Sequence, residues 1–203
     1  MNHSQKRIIL FLCLFTLLGL TSQSYAGDNA AGKQKFYSWL DRMQDVCKNG
    51  NVKVFQDYHF RICQPNVWGD MPLSGRIVWH STPVNDKEGI DCGVMVTKDS
   101  SFDILDNDSY AEHMTPQEMV KSADAFLENM KISIWEKDHK LSGKKALHFV
   151  YTAEMNGIKQ ATFGMQTINN GALYSFFCNA PPATMTRKYK DFLDIADTFR
   201  FNP

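Results

Sequence analysis

Hydrophobic and polar positions change period several times along the chain, and the changes divide it into elements. From Lys33 to Lys48, Phe36, Trp39, Leu40, Met43, Val46 and Cys47 recur at helical spacing, and Lys48-Asn49-Gly50 is a stop suited to a left-handed cap. Val52 to Gln64 alternates in the manner of a strand or a bent pair of short strands, and Pro65 ends it. Residues 64–75 read as a loop carrying Trp68, Met71 and Leu73. Strands over Arg76–Ser81 and Ile90–Thr97 flank a turn with Pro83, Asn85 and Asp86, the pattern of a hairpin. Residues 98–114 form the longest irregular segment. Thr115-Pro116-Gln117-Glu118 is a capping box with Pro at the first helical position, and it predicts a helix to about Met130. Met119, Ala123, Phe126, Leu127 and Met130 are its core-facing side chains. A short strand is expected over Ile132–Trp135 and a polar turn over Asp138–Lys145.

The last third carries the clearest pattern. Strands over Ala146–Glu154 and Ile158–Ile168 are joined by Asn156-Gly157, and Asn170-Gly171 turns the chain into a third strand, Leu173–Cys178. Asn-Gly is the preferred chemistry of a two-residue type I′ hairpin, so these strands form an antiparallel meander. After Pro181-Pro182 comes a helix over Ala183–Phe199, with Met185, Tyr189, Phe192, Leu193 and Ala196 on one face. A strand leading into a helix that packs back on the sheet closes an α/β layer.

The first 26 residues read differently. Lys6 and Arg7, an apolar run from Ile8 to Leu20, and Ser24-Tyr25-Ala26 form the three parts of a secretory signal, with cleavage expected after Ala26. The run falls short of the ~20 apolar residues that a membrane span needs. Residues 27–203 then make one domain, with an extra N-terminal helix. The chain holds 22 basic and 22 acidic residues, so removing Lys6 and Arg7 leaves 20 against 22, a net charge of −2. No basic footprint for nucleic acid results.

Cys47, Cys63, Cys92 and Cys178 remain after the signal, an even number in a secreted chain, which reads as disulfides. Three pairings are open. Cys47–Cys63 with Cys92–Cys178 is preferred, because the first bridge would tie the leading helix to the first strand and the second would join two strands distant in sequence.

The ending Tyr174-Ser-Phe-Phe-Cys-Asn-Ala-Pro181, an amphipathic helix, then Phe192 to Phe201 with its Thr198-Phe-Arg-Phe201 close, resembles the ending of PsbP/Mog-like domains. Phe60-Arg-Ile-Cys-Gln-Pro65-Asn-Val-Trp68 resembles their opening strand. The resemblance covers about residues 55–201. It implies an α+β fold, an α/β/α sandwich around an antiparallel sheet of six to seven strands. It implies no shared catalytic site and, for most members, work by binding other proteins. The extra helix and the four cysteines depart from the family pattern.

Chemistry is sparse. His59, His80, His113, His139 and His148 show no His-x-x-x-His or similar spacing, so no metal site is expected. No Gly-x-Ser-x-Gly elbow or phosphate loop occurs, a disulfide at Cys63 would abolish any Cys63/His80 dyad, and no cofactor is expected. Asp106 and Asp108 lack the glycine and closing glutamate of a calcium loop. The candidate partner-binding side chains are Trp68 and Met71 in one loop and Phe102 and Tyr110 in another, unless they fold back on the core. The reading is a non-enzymatic periplasmic protein-binding domain, an immunity protein or an envelope accessory protein or chaperone. The alternative is a small-ligand carrier or hydrolase with a pocket behind the meander, lined by Phe149, Tyr151, Phe163 and Tyr174.

Overall fold

The computed structural model describes Cys47 and residues 50–202, apart from 104 and 106. The expected signal, the Lys33–Lys48 helix apart from Cys47, and Asp106 lie outside the described residues. Ten strands and three α-helices follow: β1 Gly50–Phe55, β2 Phe60–Pro65, β3 Trp68–Asp70, β4 Ile77–Pro83, β5 Asp91–Lys98, α1 Asn107–His113, α2 Pro116–Ala123, β6 Glu128–Leu141, β7 Lys144–Met155, β8 Ile158–Asn169, β9 Ala172–Ala180, α3 Pro182–Ala196 and β10 Arg200–Phe201.

Seven strands form one antiparallel sheet in the order β3-β4-β5-β9-β8-β7-β6, and β1, β2 and β10 form a smaller one. The meander β7-β8-β9 is continuous in register, from Leu147 opposite Gln166 to Ala161 opposite Ala180. Its turns have the backbone that Asn-Gly supplies, with positive φ at Asn156, Gly157, Asn170 and Gly171. Ser142-Gly143 makes a third turn of this kind between β6 and β7.

Period-2 alternation gives the large sheet two distinct faces. The first carries Trp79, Val94, Tyr174, Phe176, Phe163, Met165 and Val150, packed with Phe192, Ile195 and Ala196 of α3 and with Phe60 and Phe199 of the small sheet. The second carries Leu147, Phe149, Ile168 and Leu173 beneath Tyr110, Met114 and Met119 of the α1–α2 segment. Helices on both faces make this an α/β/α sandwich. The Thr198-Phe-Arg-Phe201 ending has a clear job: β10 pairs with β2, and Phe199 stacks on Phe60 at 5.0 Å. Tyr174 reaches through the same cluster to donate to the Tyr58 carbonyl at 2.9 Å.

Both disulfides pair as preferred, Cys47–Cys63 and Cys92–Cys178. Cys92 and Cys178 are register partners across β5 and β9, the middle of the large sheet.

Three expectations are corrected. The segment 98–114 is not irregular throughout: Asp99 caps a 3-10 turn, its carboxylate accepting from the Ser101 amide, and α1 follows. The Thr115 capping box is present, but its helix stops at Ala123, and Phe126 is 49% exposed. Residues from Glu128 on pair with β7 instead, because a long edge strand satisfies their backbone groups better than a helix with no core to face. The Ile132–Trp135 strand therefore extends into the 14-residue β6, and the expected Asp138–Lys145 turn shrinks to Ser142-Gly143, with its first residues in β6 and its last in β7. The pairing of β6 with β7 shifts register between Glu128 and Lys131, Ile132 and Ile134, and Glu136 and His139. Each shift breaks the alternation by which a strand is read.

Candidate functional site

The four proposed partner-binding side chains separate by burial. Phe102 and Tyr110 are 2% and 5% exposed, inside the second core, and Tyr110 donates to Gln166 Oε1 at 2.6 Å. They are core residues, and the binding expectation for them is corrected: the helix α1 folds their segment back onto the sheet. Trp68 and Met71 are half-buried on and just after the edge strand β3. The pocket expected behind the meander does not form either. Phe163 is opposite Val150, on the α3 face, whereas Phe149 and Tyr151 point to the other face. Side chains on opposite sides of one sheet cannot line one cavity. A shallow depression of about 290 Å³ lies elsewhere, bordered by Asp103, Lys144, Asn169 and Asn170.

Exposed apolar side chains are concentrated instead. Six large ones are exposed among the described residues: Val67, Leu73, Val84, Phe126, Met155 and Ile158. Five of these lie at one end of the large sheet. Val67 immediately precedes β3 and Val84 immediately follows β4, and the Val84 amide donates to the Val67 carbonyl at 2.7 Å. Met155 and Ile158 are register partners at the β7–β8 tip. Phe126 stands two residues before β6, whose first residue, Glu128, is opposite Glu154. This end includes charges of both signs, among them Lys159 opposite Glu154 and the Arg187–Glu88 pair at 3.3 Å. Apolar side chains at the ends of five strands thus share one end of the sheet, amid charges of both signs. Periodicity could not reveal this grouping, because three of the five residues belong to separate loops and the other two to the tip of the β7–β8 hairpin.

Two polar clusters occupy opposite faces of the sheet. On the second face, His80 Nε2 lies 3.1 Å from Asp91 Oδ2, and Asn179 Nδ2 donates to the same oxygen at 3.0 Å. Thr162 in turn donates to Asn179 Oδ1 at 2.8 Å, so the network crosses four strands. The hydrogen bond to Asp91 raises the His80 pKa, and partial burial opposes it.

On the first face, at the opposite side of the sheet, Glu136 and His139 of β6 meet His148 of β7. His148 is fully buried; its Nδ1 lies 2.9 Å from Glu136 Oε2, and its Nε2 lies 3.5 Å from the Tyr189 hydroxyl of α3. Burial pushes the His148 pKa down, with the hydrogen bond to Glu136 pulling the other way. His139 Nδ1 is 3.7 Å from the same carboxylate oxygen. Glu136 and His139 are three residues apart, which in a regular strand would place them on opposite faces. Glu136 is opposite His148 and His139 opposite Ala146, so three steps on β6 match two on β7, and the bulge puts both side chains on one face. Linear spacing hid this group.

No known protein-family model matches the sequence, and no curated protein matches it. Solved structures match its fold. The cyanobacterial PsbP protein of Synechocystis sp. PCC 6803, CyanoP, superposes with a TM-score of 0.52 at 14% identity, over 75% of this chain and 92% of that one. LpqN, involved in cell envelope biogenesis of Mycobacterium tuberculosis, gives 0.48 at 16% identity, over 76% and 86%. A variant of the protein Mog1 gives 0.49 at 5% identity, over 76% and 96%. The fold argument rests on the first of these, and the chain has the PsbP/Mog-like α+β fold. Its two disulfides are consistent with a periplasmic or extracellular protein. No helix among the described residues is long and apolar enough to cross a membrane.

Proposed function

We propose that the protein is a non-enzymatic binding protein of the periplasm, which holds a partner protein against the apolar end of its large sheet. The observation that carries this reading is the gathering of Val67, Val84, Phe126, Met155 and Ile158 at that end. The strands behind them are fixed by the Cys92–Cys178 bridge and a continuous meander, so the tips are presented by a rigid frame. Half-buried Trp68 and Met71 extend the surface along β3. An envelope accessory protein or chaperone and an immunity protein that blocks a toxin would both use such a surface.

The test is photo-crosslinking from positions 67, 84, 155 and 158 of the mature, oxidised chain in its native envelope, read by mass spectrometry. One dominant protein is expected from these positions and not from Leu73. The double substitution Met155→Lys/Ile158→Lys should reduce its capture at least tenfold without lowering the Tm. Equal capture by that variant, or crosslinks that concentrate away from this end, would overturn the reading. A dominant partner that is a toxin would select the immunity role, and an envelope component the accessory role.

A further inference from the structure

Glu136, His139 and His148 each offer one ligand atom, and these atoms lie within 4.8 Å of one another. The carboxylate oxygen of Glu136 sits between the two imidazoles, 2.9 Å from His148 Nδ1 and 3.7 Å from His139 Nδ1. Ligands about 2.0–2.2 Å from a tetrahedral zinc ion are about 3.3 Å apart, so rotations of the exposed Glu136 and half-exposed His139 side chains suffice to close on an ion. We propose that these three residues form a binding site for a divalent transition metal of the zinc class, with solvent completing the coordination.

Four features support it independently of the partner-binding reading. Two imidazoles and one carboxylate are a borderline donor set, suited to zinc and its neighbours and poorly suited to calcium or magnesium, which take oxygen ligands. The site is asymmetric in burial. The His148 side chain is 0% exposed and held by packing against Phe163, whose ring centre is 4.9 Å away, while the Glu136 side chain is 56% exposed. A hydrated ion can therefore enter from solvent and meet one immobile ligand. The Tyr189 hydroxyl stands 3.5 Å from His148 Nε2. Without metal, Nδ1–H donates to the Glu136 carboxylate; in the Nε2–H tautomer the hydroxyl accepts instead and the Nδ1 lone pair is freed for an ion, the outer-sphere arrangement by which proteins fix a ligating imidazole. Finally, the β6 bulge brings Glu136 and His139 to one side at a point where a regular strand would part them.

A plain hydrogen bond between a buried histidine and a surface carboxylate would use Glu136 and His148 alone. His139 is what separates the two cases. The rings of His139 and His148 lie 5.0 Å apart, centre to centre, and both approach the same oxygen.

The experiment titrates zinc chloride into the chelator-treated, oxidised mature protein by calorimetry, with cobalt(II) absorption as a coordination readout. One zinc per chain is expected, together with the intense visible bands of four-coordinate cobalt. His139→Ala and Glu136→Gln should each weaken binding about 100-fold, and Tyr189→Phe about 10-fold, the usual effect of losing an outer-sphere partner. His80→Asn, which removes the His80–Asp91 pair, should leave affinity unchanged. His139 lies near the surface, so its variant is expected to fold, and Glu136→Gln gives a second reading should it fail. Absence of one-to-one binding below about millimolar zinc, or affinity that survives both substitutions, would overturn the assignment.

Discussion

Gly164→Ala tests the packing logic of the second sheet face. Gly93, Phe177, Gly164 and Phe149 are successive register partners across β5, β9, β8 and β7, so glycine and aromatic alternate along one row. A Cβ at Gly164 would fall inside the van der Waals envelope of the Phe149 ring. That ring is 6% exposed and is flanked by Trp135 and Tyr151, at centroid distances of 6.2 and 6.1 Å. Backbone entropy alone favours alanine over glycine in a strand by roughly 0.5–1 kcal/mol. The ring, however, would have to retreat about 1 Å to restore normal contact, and forcing a methyl group into a packed core costs about 1–3 kcal/mol. The clash wins, and Gly164→Ala should destabilise by about 1–2 kcal/mol. Phe149→Ala alone should cost about 3–5 kcal/mol. In the double variant the added methyl group fills part of the space that the ring vacates, so the total should fall short of the sum by at least ~1 kcal/mol. Urea denaturation of the four oxidised proteins gives each stability, provided the m-values agree. Additivity within about 0.5 kcal/mol would show that ring and glycine do not interact, and would refute the reasoning.

Further predictions concern the bridges and the second-face network. The Cys92–Cys178 and Cys47–Cys63 bridges span separations of 86 and 16 residues, so in the chain-entropy model they contribute about 4.5 and about 3 kcal/mol. Cys92→Ala/Cys178→Ala should therefore destabilise more than Cys47→Ala/Cys63→Ala in parallel denaturation curves; the reverse order would contradict the loop-length account. Because the folded-state pKa of His80 is raised, its pairing with Asp91 stabilises fully below the unfolded value of about 6.5, and the contribution fades as pH rises through the folded value. Asp91→Asn should thus cost more stability at pH 5.5 than at pH 8.5, and a cost independent of pH would show that the pair is not ionic.

Much of the fold was legible because local chemistry dictated it. Two Asn-Gly pairs allowed only tight type I′ turns, and the alternation on either side set the register of β7, β8 and β9. The helical period from Met185 to Ala196 identified α3, although its end falls at Ala196 instead of Phe199. Of the three cysteine pairings left open, the preferred one is the one present. The site was far less legible. Aromatic content drew attention to Phe102 and Tyr110, yet an aromatic ring in an apparent loop has the same composition whether it waits for a partner or fills a core. The Glu136–His139 group was invisible because its proximity depends on a bulge, and a bulge has no period.

The sequence by itself thus determined the hairpins, the capped start of α2 and the closing helix, since each depends on neighbours in the chain. The tertiary structure decided where α2 stops, how far β6 extends, which face each aromatic ring occupies, and which residues from separate loops share the apolar end. These depend on competition between distant segments for the same backbone partners and the same core space. Glu128 to Leu141 became a strand because β7 offered an unpaired edge, and that pairing brought Glu136 and His139 to His148.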